Sequence, residues 1–460
     1  MPPRFADSDQ PSRPLHVVPQ DRLKDWLDGQ GPEVAAWVKG SGFTAALGEA
    51  QLIPGAGGAV AGAVFGYGSA SARARGRFHL ARAFAVLPEG AWHLVADLGS
   101  EERDEAALAA LFAQYRFDRY HPGSAKPVLL KAPEGVDAAR LETIAAGEFL
   151  TRDLVNTPAA DMGPQDLEDA LRVLARQHGA VVDAIVGDDL LRANFPMIHA
   201  VGRASERAPR LLDMRWGTEG PRLTLVGKGV CFDTGGLNIK PTAGMHLMKK
   251  DMGGAATVLG LARMIMSLDL PVRLRVIIPA VENAISGRAL RPRDILTSRK
   301  GLTVEVNDTD AEGRLILADA LALASEEETD LLVSMATLTG SARVAVGPDL
   351  APFYTDDEAL ASSLQRAGSA VRDPVWRLPF WTPYEPLIEP GIADLDNCPP
   401  GSFAGSVTAA LFLRRFVEAP RYLHFDLYAH QPTDAPGRPK GGVGQGARAL
   451  LQALPEALGL

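Results

Sequence analysis

The feature that most constrains the fold lies between residues 223 and 336, where short apolar runs alternate with long, almost wholly apolar stretches. Residues 223–226, 272–279 and 331–336 predict strands, with a shorter one at 303–306. Residues 252–268 and 315–324 predict helices with few polar positions. A helix that is apolar all round must be buried. Strands that are apolar without alternation belong to a sheet covered on both faces. A further helix at 409–416 and a strand at 422–427 continue the pattern. The expected class is α/β, with a mixed, mostly parallel sheet and helices on both faces. Its ligand site should lie where strands end in loops.

A chain of 460 residues is too long for one ordinary core, so two domains are expected. Residues 1–14, rich in proline, serine and charge, read as a disordered lead. Residues 15–147 read as a small N-terminal α/β domain. It has strands at 59–65, 92–97 and 127–130, and a helix at 104–115 with Leu108, Leu111 and Phe112 on one face. A helix at 141–155, broken by Thr157-Pro158, opens the larger domain, 148–460. The Gly-rich stretch 54–58 lacks the Gly-Lys-Ser/Thr ending of a phosphate loop and reads as a hairpin turn.

Acidic residues number 56 and basic ones 47, a net charge of -9. That balance argues against a nucleic-acid binder, which carries a basic face. Two cysteines, Cys231 and Cys398, exclude a disulfide framework and suit a reducing compartment. The N-terminus lacks the apolar core of a signal peptide. No apolar run approaches the roughly 18 residues of a membrane span. A cytoplasmic protein is expected.

Two segments carry chemistry. The first runs from Val226 to Lys240 and places Lys228 just past a buried strand, followed by Asp233 and Lys240. Lys249, Lys250 and Asp251 come later, immediately before an apolar helix. Charges beside buried elements are costly unless paired or metal-bound. The second segment, Asn307 to Arg314, lies at a strand-to-helix junction. Asp310 and Glu312 are two apart and point to the same side of an extended loop. Asp233, Asp251, Asp310 and Glu312 thus offer oxygen ligands that balance two divalent ions, where an empty cluster would repel itself. There is no His-Glu-x-x-His, and oxygen-rich ligation suits Zn, Mn, Mg or Co. Taken singly, Asp233 reads as a cap or turn residue, and 308–312 equally as a solvated acidic turn. Lys249 and Lys250 read as solvated charges, His246 as a loop histidine and Cys231 as packing.

Both segments resemble the signatures of the leucyl (cytosol) aminopeptidase family. That family's Asn-Thr-Asp-Ala-Glu-Gly-Arg-Leu is matched by Asp308-Thr-Asp-Ala-Glu-Gly-Arg-Leu315, and its first signature by Val226 to Pro241 with Met248-Lys-Lys-Asp-Met-Gly-Gly-Ala-Ala256. Arg152-Asp-Leu-Val-Asn-Thr-Pro158, Ala336-Thr-Leu-Thr-Gly340, Pro374-Val-Trp-Arg-Leu-Pro379 and Thr408-Ala-Ala-Leu-Phe-Leu413 follow in the family's order. The likeness spans roughly residues 148–460.

The resemblance implies a two-metal aminopeptidase that releases N-terminal residues, leucine-like ones among them, from short peptides. Asp233 and Glu312 would bridge two divalent ions, Mn or Zn, with Mg and Co as further options. Lys228, as the neutral amine, and Asp251 would complete one site, and Asp310 the other. The nucleophile would be a hydroxide shared by metals about 3.5–4 Å apart. The substrate's α-amine would bind one metal. Lys240 would stay charged and stabilise the oxyanion, and Arg314 would hold a bicarbonate base. Met248, Thr337, Leu338 and Gly340 would line the side-chain pocket. A homohexamer is implied. Two residues depart from the pattern, Asp308 in place of the usual Asn and Asn238 of a more frequent Ser, and the N-terminal domain is short and divergent. A DNA-binding regulator, a Cys-Gly-type dipeptidase and a dead structural subunit are the rivals. The last would predict a lost ligand, and none is lost.

Overall fold

The computed structural model describes residues 2–123 and 127–460. The chain divides into two compact units, Met1–Ala146 with Thr433–Lys440, and Gly147–Pro432 with Gly441–Leu460. The return of residues 433–440 to the first unit has no signal in the local sequence.

The first unit is a five-stranded sheet: β1 (Ser12–Pro19), β2 (Ala50–Pro54), β3 (Val60–Gly68), β4 (Gly90–Val95) and β5 (Val128–Leu130), in the order β2-β3-β1-β4-β5. All neighbours are parallel except the β2–β3 hairpin. The Gly-rich stretch forms that hairpin's turn, closed by the Gly55 N–H on the Ala59 carbonyl at 2.7 Å. The expected disordered lead is a correction. Phe5 and Ala6 are buried, and Ala6 bridges to Lys131. Ser12 already begins β1, the central strand, where Leu15 lies between Ala63 and Leu94. Pairing on both sides satisfies this backbone whatever its composition.

The second unit carries β6 (Val181–Val186), β7 (Arg210–Trp216), β8 (Arg222–Gly227), β9 (Gly229–Asp233), β10 (Arg273–Asn283), β11 (Ile295–Thr297), β12 (Thr303–Glu305), β13 (Leu331–Ala336), β14 (Ala351–Tyr354), β15 (Val375–Arg377), β16 (Leu395–Asp396) and β17 (Tyr422–Asp426). The main sheet runs β15-β14-β17-β13-β8-β10-β7-β6. Its centre, β17, β13, β8 and β10, is parallel. Antiparallel pairings of β14 with β17, β7 with β10 and β6 with β7 make it mixed. Strand β9 continues along β10 where β8 leaves off. A small sheet, β11-β12-β16, stands apart.

Helices cover both faces. Glu312–Ser325 packs Leu315 and Ile316 into one core with Met197, Ile198 and Phe412. Gly253–Ser267 lies across the other face, buried over nearly its whole length. Its start presses on the sheet. A Cβ on Gly254 would stand 2.1 Å from the Met335 carbonyl oxygen, so only glycine admits this helix.

A buried ion pair anchors the helix Ala138–Asn156 within the second unit's residues. Arg152 Nε donates to Glu148 at 2.9 Å, and Arg448 donates to its other oxygen at 3.3 Å. Burial opposes the Glu148 charge, but the two guanidinium groups outweigh it and hold its pKa below the usual carboxylate value. Glu148→Ala would strand buried arginines, and a loss of about 3–5 kcal/mol in denaturant unfolding is expected. A loss under about 1 kcal/mol, the scale of an exposed pair, would contradict it.

Candidate metal centre and substrate cleft

The parallel strands β8 and β13, with β17 beside them, deliver their C-terminal ends to one place. Lys228 follows β8, Asp233 ends β9, Thr337 follows β13 and Asp426 ends β17. The turn before the helix Gly253–Ser267 adds Met248, Lys250 and Asp251. The loop after β12 adds Asp310, and the first turn of the helix Glu312–Ser325 adds Glu312 and Arg314. A cleft of about 490 Å³ opens here. Lys228, Asp233, Lys240, Asp251, Asp310, Arg314, Met248, Thr337, Leu338 and Gly340 all line it. Glu312 is fully buried beside Lys228.

Two ammonium groups thread four carboxylates. Lys228 Nζ lies 2.7 Å from Asp251 and 3.1 Å from Glu312, and donates to the Thr337 carbonyl at 2.9 Å. Gly313 makes this possible, since a Cβ there would meet Lys228 Cε at 2.3 Å. Lys240 Nζ lies 2.7 Å from Asp233 and also touches Asp310. Burial disfavours the charge on both lysines, yet the carboxylates outweigh it and raise both pKa values above the ordinary lysine value.

The carboxylates are less well served. Asp233, Asp310 and Glu312 each place an oxygen within 4.8 Å of the others. Burial, then the Asp233 charge, pushes Asp310 up to about 7 and Glu312 well above its ordinary value. Lys240 touches Asp310 without reversing that shift, because it serves Asp233 as well. Burial opposes the Asp251 charge too, but Lys228 outweighs it and the Asp251 pKa falls. Among the described residues, the buried Asp251 Oδ2, Asp310 Oδ1 and Glu312 Oε1 have only the lysine ammonium groups against them. Two cations for four carboxylates, with three oxygens that meet nothing but those cations, are what a site built for divalent ions shows when only lysines face it. The donor set fits.

Asp310 and Glu312, with pKa values raised in the folded chain, add stability that is complete below about pH 4; for Asp310 it is lost as pH rises through about 7, and for Glu312 as pH rises through its own raised pKa. A metal held by them would need them ionised. Added Mn should therefore raise the melting temperature more at pH 8 than at pH 5. An equal or reversed gain would contradict this.

Supporting residues that the sequence did not flag fix the cage. Asn283, at the end of β10, donates to Asp233 at 2.8 Å and to the Thr309 carbonyl at 3.0 Å. Asn397, after β16, accepts from the Asn307 N–H at 2.8 Å and the Asp308 N–H at 3.2 Å, and donates back to the Asp308 carbonyl at 2.7 Å. Asp426 accepts from the Leu338 and Thr339 N–H groups and from Ser406, holding the loop 337–340. It had a legible signal, a charge at the end of a buried strand. The Thr337 hydroxyl is bonded to Asp251 at 2.9 Å, so it steadies that carboxylate as well as lining the cleft.

Both departures from the family pattern have a geometry. Asp308 Oδ1 accepts from the Asp310 N–H at 2.8 Å, a bond that an asparagine oxygen would equally make. Asn238 exchanges bonds with Thr309, receiving its N–H at 3.0 Å and donating its own N–H to the hydroxyl at 2.8 Å. The two signature loops are thereby tied together.

The reading of Lys249 and Lys250 as solvated charges is a correction. Lys249 is half-buried and donates to the Asn156 carbonyl. Lys250 is only 7% exposed, because the tight turn from Met248 to Met252 carries it inward onto Tyr428. Burial, together with Lys228 and Arg343, lowers its pKa to about 8. Cys231 is wholly buried, its thiol pushed up by burial, and His246 is exposed.

Comparison with known proteins gives the same picture. A model of the cytosol aminopeptidase family, catalytic domain, matches residues 149–451, and one of the M17 aminopeptidase N-terminal domain matches 13–133. The probable cytosol aminopeptidase of Syntrophotalea carbinolica is 42% identical over 366 residues, 75% of this chain and 73% of that one. Its namesake from Roseiflexus castenholzii is 38% identical over 379 residues, 77% of this chain and 78% of its own. The crystal structure of cytosol aminopeptidase from Coxiella burnetii superposes with a TM-score of 0.93 at 43% identity, covering 98% of both chains. The bottromycin maturation enzyme BotP in complex with Mn gives 0.86 at 32% identity, over 96% of this chain and 98% of that one. The chain belongs to the cytosol aminopeptidase family and is a metal-dependent aminopeptidase.

Proposed function

We propose that Asp233, Asp251, Asp310, Glu312 and the neutral amine of Lys228 hold two divalent ions, Mn or Zn, and that the chain releases N-terminal residues from short peptides in the cytoplasm. The carrying observation is that Asp233, Asp310 and Glu312 place oxygens within 4.8 Å of one another, with Asp251 beside them, against only two ammonium groups. Mn is supported by the complex that BotP forms with it. The cytoplasm is supported by the relatives' description as cytosol aminopeptidases.

The ions supply a Lewis acid for the scissile carbonyl and an activated water. Lys228 must first give up the proton that Asp251 and Glu312 now stabilise, so loading releases protons. Lys240, released from Asp233 and Asp310, turns its ammonium to the carbonyl oxygen and stabilises its developing charge. Arg314 holds a bicarbonate ion that supplies the base. Among the described residues its buried Nε has no hydrogen-bond partner, and burial lowers the guanidinium pKa, so an anion there offsets a disfavoured charge. Met248, Thr337, Leu338 and Gly340 receive the N-terminal side chain.

A homohexamer is supported by large apolar side chains left exposed along one stretch, Trp376, Trp381, Leu387, Ile392 and Phe403, the last at 92%. Neither a DNA-binding nor a Cys-Gly-specific role gains support from the relatives. Hydrolysis of leucyl and glutamyl anilides with Mn, and its loss to a chelator that fresh Mn reverses, is the test. Metal-independent turnover, or none with any divalent ion, would sink the reading.

A further inference from the structure

The side-chain end of the cleft carries two cations that the cage does not use. Lys250 Nζ stands 5.0 Å from the centre of the Tyr428 ring, and the Arg343 guanidinium carbon 4.9 Å from the same centre. All three residues line the cleft. Among the described residues, neither cation has a carboxylate partner. Asp251, next to Lys250 in the chain, is committed to Lys228 at 2.7 Å and to Thr337 at 2.9 Å. A lysine 93% removed from solvent with no carboxylate in ion-pair range is costly, and an aromatic face compensates only in part. A substrate carboxylate is the group that would complete the arrangement.

Position says which carboxylate. Lys250 follows Met248 by two residues, and Arg343 lies one helical turn beyond Gly340. Both therefore belong to the wall of Met248 and Gly340. Lys240 and Arg314, assigned to the carbonyl and the base, come from other loops of the cleft. Resting on that reading of the site, we propose that Lys250 and Arg343 bind the acidic side chain of an N-terminal glutamate or aspartate, making this an aminopeptidase for acid-headed peptides. A leucyl side chain would strip water from the ammonium and return nothing to it. An N-terminal lysine or arginine would be repelled.

Anilides of glutamate, leucine and lysine test the idea, since they carry no C-terminal carboxylate. With the Mn-loaded enzyme, kcat/KM for the glutamyl anilide should exceed that for the leucyl one by about tenfold or more, the scale of one charge-assisted hydrogen bond. The lysyl anilide should be slowest. Lys250→Met should lower the glutamyl-to-leucyl ratio by about tenfold, chiefly through KM, and Lys250→Arg should largely keep it. Arg343 is exposed, so Arg343→Met is the variant safe for folding, and it should move the ratio the same way. Leucyl turnover that exceeds glutamyl turnover, or a ratio that neither methionine variant changes, would overturn this inference alone. Turnover of none of the anilides would overturn the aminopeptidase reading of the site with it.

Discussion

Glu312→Gln is expected to abolish hydrolysis, by a factor on the order of a thousand or more, and to leave the metal-free protein at least as stable as the parent at pH 8. Glu312 is buried beneath Lys228, and its charge is disfavoured by burial and by Asp233. Removing that charge relieves the metal-free cluster, while Lys228 keeps Asp251 at 2.7 Å. The same change removes the residue assigned to both ions. Losing groups that only support a ligand already costs about 10–100-fold, so losing a shared ligand must cost more. Stability without metal and activity with metal should therefore move in opposite directions. Thermal melts with and without Mn, beside kcat/KM, check both. A variant that unfolds more readily without metal, or keeps a tenth of the activity, would contradict the assignment.

Lys240→Met should lower kcat by about 100- to 1,000-fold, the cost of one lost oxyanion donor, with KM little changed. Metal content should not fall, because Lys240 is assigned to the substrate and not to the ions. Its role without metal is different. There it pairs with Asp233 at 2.7 Å and touches Asp310, so the metal-free variant loses its counter-charge and should melt lower. That contrast separates Lys240 from Glu312, whose replacement relieves the same cluster. Metal analysis of the purified variant, with initial rates, decides the point. A fall in metal content that matches the fall in kcat would make Lys240 part of the cage.

The fold was legible where burial alone decides it. The runs at 223–226, 272–279 and 331–336 are strands of the main sheet, and the apolar stretches after them are its covering helices. Elements held by pairing were not legible. β1 begins within a segment rich in charge and proline, and its place is set by β3 and β4 on either side. The antiparallel edge of β6 and β7 leaves Val181 and Val186 exposed, so no apolar run announces it. In the candidate site the charged residues stood out because each adjoins a buried element. Asn283 and Asn397 did not, since a neutral amide at a strand end or in a loop carries no cost that betrays its function. Lys250 misled for a related reason. A Lys-Lys-Asp triplet reads as solvated, and only the turn that carries it under Tyr428 shows otherwise.

The central claim is that four carboxylates and one lysine amine hold a pair of metal ions. Anomalous scattering from crystals of the Mn-loaded enzyme, with metal content measured on the same protein, tests it most directly. Two Mn per chain are expected, with two peaks flanked by Asp233 and Glu312 and Lys228 Nζ turned onto one of them. A single peak, or two peaks with Lys228 still paired to Asp251 and touching neither, would contradict it.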